Sequence, residues 1–134
     1  MAAGGLAAAG IERVLTGTLY VALFSDELDL VAETGSELTD ANYARVSCAS
    51  WATSSGAGYV QVANDAAVVF PVFAGDTDEK EAVSWGLYTA ASGGDLLAGG
   101  LVRNVGGDAE PGAINGGDQF RFDLGSLRIR TVTT

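Results

Sequence analysis

Gln119-Phe120-Arg121-Phe122-Asp123-Leu124, Gly125-Ser126, Leu127-Arg128-Ile129-Arg130-Thr131-Val132 is the stretch whose reading decides the fold. Apolar and polar residues alternate on both sides of Gly125-Ser126, the period of a half-buried strand. A Gly-X pair between two such runs predicts a tight hairpin with a type II′ turn. Pairing Leu124 with Leu127 sets Phe122 opposite Ile129 and Phe120 opposite Thr131, all on one face, so Phe122 and Ile129 are expected as buried cross-strand neighbours. Asp123 then meets Arg128 on the other face. Arg121 falls opposite Arg130, which is unfavourable unless an acidic group lies between them.

Working outward, most of the chain reads the same way. Leu19–Phe24 (LYVALF) is apolar at every position and predicts a strand buried on both faces. Tyr43–Ser50 and Tyr59–Ala63 read as strands, with a turn at Ser54-Ser55-Gly56 between them. Ala67–Phe73 (AVVFPVF) is β-forming, but Pro71 cannot donate to a ladder, so it belongs at an edge or a bend. Ala82–Thr89 (AVSWGLYT) carries Gly86 in its middle, which predicts a bulge or a close backbone approach. Leu96–Arg103 is a strand interrupted by Gly99 and Gly100. Asp26–Asp40 and Gly75–Glu81 read as acidic loops, and Gly106–Gly117 as a long Gly-rich loop with Pro111. The one helical pattern is Leu6–Leu15, where Ile11, Val14 and Leu15 share a helical face and Gly17 stands where a helix ends. Gly4, Gly5 and Gly10 weaken it toward an extended arm. The expected fold is therefore all-β: a small β-sandwich or jelly-roll-like barrel over 18–134, preceded by a short N-terminal helix or arm over 1–17.

Composition sets further limits. The chain has 134 residues, 48% of them hydrophobic, enough for one core without disulfides. Cys48 is the single cysteine, which fits assembly in a reducing cytoplasm, and its neighbours Val46, Ala49 and Trp51 look like core. The formal net charge is −10, with Lys80 the sole lysine, so no basic stripe exists for phosphates or anionic lipid. Neither nucleic-acid nor membrane partners are expected. Met1–Gly10 lacks the basic start of a signal peptide, and no run reaches the ~20 apolar residues of a membrane span.

The search for chemistry points away from catalysis. No histidine is present, which excludes Ser-His-Asp and Cys-His arrangements and histidine-containing zinc sites. No phosphate-cradling glycine motif precedes Lys80. The loop Asp76-Thr77-Asp78-Glu79-Lys80-Glu81 alternates hard oxygen ligands, as calcium sites do, but Lys80 in its middle favours a solvated acidic turn. Arg45 on a strand is expected to pair with a loop carboxylate such as Glu37, or with a neighbouring subunit. Trp85 reads as core packing. No catalytic, cofactor-binding or metal-ligating residue is assigned, no cofactor is expected, and the chain is expected not to be an enzyme.

The order of segments carries a resemblance. LYVALFSDE is followed by GSELTDANYARV, NDAAVVFPVF, SWGLYTAASGGDLLAGGLV and GDQFRFDLGSLRIR. Over nearly its whole length the chain resembles a family of small tailed-phage virion proteins, labelled tail fibre or head decoration proteins. The matching positions are Tyr20–Leu23, Gly35 with Glu37, Tyr43 with Arg45, Phe70-Pro71, Trp85-Gly86, Gly93–Leu97 and Gly117-Asp118. Two departures stand out, a shortened segment between Trp85 and Gly93 and a lengthened loop from Gly106 to Gly117.

The resemblance implies a structural component of a tailed bacteriophage virion. The first expectation is a capsid decoration (cement) protein, made in the host bacterial cytoplasm and bound to the major capsid protein on the capsid surface. Decoration proteins commonly sit at threefold positions, which implies a homotrimer. The need to cover both faces of Leu19–Phe24 and Ala67–Phe73 adds a physical reason for a partner subunit. The alternative is a tail or tail-fibre structural or receptor-contact component. The absence of internal repeats favours the head.

Overall fold

A computed structural model describes residues 18–56, 58–74, 80–103 and 110–132. The expected N-terminal helix or arm lies outside the described residues, which contain no helix. They form β-strands joined by turns, as the alternation predicts.

The principal sheet has four antiparallel strands in the order β2-β1-β7-β8, with β1 at Leu19–Phe24, β2 at Val46–Cys48, β7 at Ser84–Tyr88 and β8 at Leu96–Leu101. A three-stranded sheet has the order β11-β4-β3, formed by β3 (Trp51–Gly56), β4 (Tyr59–Asn64) and β11 (Arg128–Val132). Two short ribbons complete the fold. One pairs β5 (Val68–Val69) with β10 (Arg121–Phe122), and the other pairs β6 (Lys80–Ala82) with β9 (Gly112–Ile114). Leu19, Val21, Leu23, Trp85, Leu87 and Ala98 of the principal sheet join Val62, Val68, Ala82, Ile114, Phe122 and Ile129 of the smaller sheets in one core. This is the sandwich logic of the sequence, with the second layer divided into three pieces.

Several boundaries moved. Ser54-Ser55-Gly56 is not a turn but the end of β3, and the turn falls after Gly56. Gly99 and Gly100 do not break β8. Gly99 lies beside Gly86, where an added Cβ would meet the Trp85 carbonyl oxygen at 2.5 Å, so the close backbone approach expected at Gly86 is real. The register shift in this pair sits between Leu87 and Tyr88 instead. Gly112–Ile114, expected in a loop, is a strand because Ile114 is buried in the core. Its partner is Lys80–Ala82, of which Lys80 and Glu81 are expected in a loop and Ala82 in a strand.

The largest correction concerns the C-terminal hairpin, which does not form. Phe122 pairs with Val68 and Ile129 with Val62, in different sheets. Leu124 is 64% exposed while Leu127 is fully buried, so the two cannot share a face. The turn spans Asp123–Ser126, closed by the Ser126 amide donating to the Asp123 carbonyl at 3.0 Å. This puts Gly125, with φ of 82°, at the third turn position, as in a type II turn. A type II turn splays the strands it joins, whereas a type II′ turn matches their twist. Arg121 is consequently nowhere opposite Arg130. It lies across from Val69 and bonds Asp123 at 3.0 Å.

Asn64 holds the diverging turn. Its Nδ2 donates to the carbonyls of Ala66 (2.8 Å) and Asp123 (3.0 Å), and its Oδ1 accepts from the Leu127 amide (2.9 Å). Its backbone carbonyl accepts from Gly125 at 2.8 Å. Asn64 is buried, so these bonds supply its side chain with the partners burial demands.

The apolar strand β1 is covered on both faces by its own chain. Leu19, Val21 and Leu23 face the main core, while Ala22 and Phe24 face a second cluster with Leu28, flanked by Leu30, Tyr88 and Leu96. Ala22, Gly86 and Gly99 lie side by side on three adjacent strands. This row of small residues leaves room for Leu28, whose methyl lies near the positions Cβ atoms of Gly86 and Gly99 would take. Burial of Leu19–Phe24 therefore gives no reason for a partner subunit. Ala67–Phe73, unlike β1, is covered on one side only. Val68, Phe70 and Phe73 are buried, whereas Val69 and Val72 are exposed.

Candidate functional site

The acidic stretch 25–40 is an ordered excursion that closes over the second cluster. Leu38 donates to Leu23 and Ser25 to Ser36, both at 2.9 Å, so the chain returns beside the end of β1. Buried Ser84 pins the excursion, its Oγ donating to the Asp26 carbonyl (2.6 Å) and accepting from the Leu28 amide (3.1 Å). At the tip, Oδ1 of Asp29 accepts from the amides of Val31 and Ala32 at 3.0 Å each, an Asx turn. A Cβ on Gly35 would meet the Phe24 ring at 2.8 Å, which accounts for the glycine there.

This return places Glu37 against Tyr43 and Arg45. The Arg45 guanidinium binds Glu37 in a fork, Nε to Oε2 and Nη2 to Oε1, both at 3.0 Å. Its Nη1 donates to the carbonyls of Ala90 (3.1 Å) and Gly93 (2.7 Å). The guanidinium carbon lies 3.7 Å from the centroid of the Tyr88 ring, a cation–π contact. The Tyr43 hydroxyl donates to Oε2 of Glu37 at 2.6 Å and accepts from the Leu23 amide at 3.1 Å. One charge pair thus ties the loop return, the approach to β2, the end of β7 and the Gly93 turn. The expected partnership of Arg45 with Glu37 is present, within the chain.

Chemically this cluster is a clamp. The Arg45 side chain is 9% exposed and that of Glu37 28%, and every guanidinium nitrogen donates to an acceptor within the chain. Burial, then the hydrogen bond to Glu37, pushes the Tyr43 hydroxyl far above the ordinary tyrosine range near 10. Tyr88 is pushed up by burial in the same direction, and so is the buried Cys48 thiol. Cys48 is therefore a poor thiolate, in keeping with its expected core role.

These raised values have a consequence for alkaline stability. Above pH about 10 an unfolded tyrosine loses its proton while folded Tyr43 keeps it, so the folded state binds more protons and stability falls with rising pH. The stability from this group is complete below its unfolded pKa. Equilibrium urea denaturation should show a decline beginning near pH 9–10, and Tyr43→Phe should flatten it. Equal pH slopes for the two proteins would remove Tyr43 as the cause.

Among the described residues, no group of three or more His, Cys, Asp and Glu side chains could hold a metal ion. Asp76, Asp78 and Glu79 of the acidic turn lie outside the described residues. No helix among them is long and apolar enough to cross a membrane.

The residues that carry the resemblance are the ones this geometry uses. Glu37, Tyr43 and Arg45 build the clamp, Gly35 and Gly86 lie against the side chains of the second cluster, and Trp85 is buried in the main core. Gly93 and Gly94 have φ of 65° and 76°, in the turn whose carbonyl Arg45 binds. Gly117 has φ of 87°, in a turn where Asp118 accepts from the Asn115 amide at 2.8 Å. Residues 8–130 match the family model of Podophage GP4 fiber I protein gp80. The chain belongs to this family. It is a phage virion protein family of the tail-fibre type, and the match spans the clamp, both clusters and the Asn64 turn. None of the curated proteins matches the chain. Sequence reasoning missed Asn64, because a buried asparagine at a strand end looks the same as a solvated one.

Proposed function

We propose that this member of the gp80 fibre family is a structural element of the phage tail-fibre apparatus rather than a capsid cement protein, and that it has no enzymatic activity. The observation that carries the reading is the family match over residues 8–130. The geometry agrees with it, since the most elaborate polar cluster spends its donors on holding loops together. A rigid, acidic β module suits a fibre, which must keep its shape in solvent while presenting a surface. Its neighbours in the particle are other fibre or tail components.

Gold-labelled antibody against this chain, applied to purified particles and viewed by electron microscopy, tests the reading. Label should fall on the tail or its fibres. Label spread over the head would overturn the proposal and restore the capsid surface as the site of action.

A further inference from the structure

Among the described residues, the strand β3 stands at the edge of the three-stranded sheet and pairs with β4 through six consecutive positions without a register shift. Natural edge strands are usually blunted by lysine, proline, a bulge or shortness. Trp51–Gly56 has none of these. Ala52, Thr53 and Ser54 are all exposed, so both faces of the strand reach solvent. Thr53 lies across from Val62, which is fully buried, so the core layer ends one strand short of the sheet edge.

The charge distribution says what this edge accepts. The chain carries a formal charge of −10, yet Val46–Asn64 contains no Asp, Glu, Lys or Arg. Two copies of an acidic protein repel each other wherever carboxylates face, and least across a neutral strand. A cationic partner would be drawn instead to the acidic excursion 25–40. A row of backbone donors and acceptors flanked by Ala, Thr and Ser offers a template for another strand of the same kind.

We propose that the outer edge of β3 is a self-association surface, on which a second copy of this chain adds its own β3 and extends the three-stranded sheet across the subunit boundary. Identical strands meeting at a twofold axis run antiparallel, so the contact closes as a dimer. The inference goes beyond the fibre assignment and rests on the strand edge alone.

Sedimentation velocity of the full chain across a concentration series tests it. The wild-type protein should form a dimer. Thr53→Glu should raise the dimer dissociation constant by at least about tenfold, because it sets like charges against each other across the new pair. Circular dichroism of the variant should match the wild type, since Thr53 is exposed. Ala52→Glu serves if Thr53→Glu does not fold. Hydrogen exchange needs no substitution, and amides of Trp51–Gly56 should slow as protein concentration rises. A wild-type chain that stays monomeric, with exchange in β3 independent of concentration, overturns the proposal. So does a dimer that both folded variants leave intact, which would place the contact elsewhere, for instance at exposed Val69 and Val72.

Discussion

Arg45→Ala is expected to destabilise the protein by about 3 kcal/mol, the loss typical when one partner of a largely buried ion pair is removed. The substitution strands the Glu37 carboxylate, frees the carbonyls of Ala90 and Gly93, and uncovers the Tyr88 ring. Arg45→Lys keeps the charge but cannot reproduce the fork and the ring contact together, so it should recover less than half of the loss. Glu37→Gln should cost less than Arg45→Ala, because the guanidinium keeps both carbonyl acceptors. Urea denaturation of the three variants checks the order. If Arg45→Ala fell below 1 kcal/mol, the pair would behave like an exposed surface bridge and the clamp would be refuted. The prediction bears on the family as well. The residues that mark the resemblance would then be held by the demands of the fold, not by contact with a partner.

Asn64→Ala is expected to cost a similar amount, about 3 kcal/mol, through a different mechanism. It leaves the amide of fully buried Leu127 without its side-chain acceptor and opens a void at the end of β4. It also removes one donor from the Asp123 carbonyl, which keeps its bonds from Ser126, and so loosens the turn that sends β10 and β11 into separate sheets. Asn64→Asp supplies a check on the chemistry. A carboxylate accepts from Leu127 but repels the carbonyls of Ala66 and Asp123. A protonated carboxyl can donate to one of them, so this variant should regain stability as the pH falls. Thermal unfolding at neutral and acidic pH measures both effects. A variant with wild-type stability at neutral pH would show that the asparagine amide is not needed as a donor.

Much was legible in the residues alone. The all-β class, the strand Leu19–Phe24, the core role of Cys48 and Trp85, the partnership of Arg45 with Glu37 and the phage virion family all follow from period, burial chemistry and motif order. These are local properties, or depend on pairs whose charges leave few alternatives. The family match supports the tail reading better than the head, and the lack of a repeat says little about a short module.

Tertiary structure decided which strands pair. Gln119–Val132 satisfies every local rule for a hairpin, yet its two halves join different sheets. Alternation specifies which side chains face inward but not which strand lies alongside, and the buried bonds of Asn64 select a type II turn over a type II′ turn. The same holds for the cover of β1. LYVALF announces two buried faces, and nothing in those six residues says that Leu28, from an acidic segment nearby, closes the second one. Burial is written in the sequence as hydrophobicity, whereas the identity of the covering surface depends on long-range geometry that only the folded chain supplies.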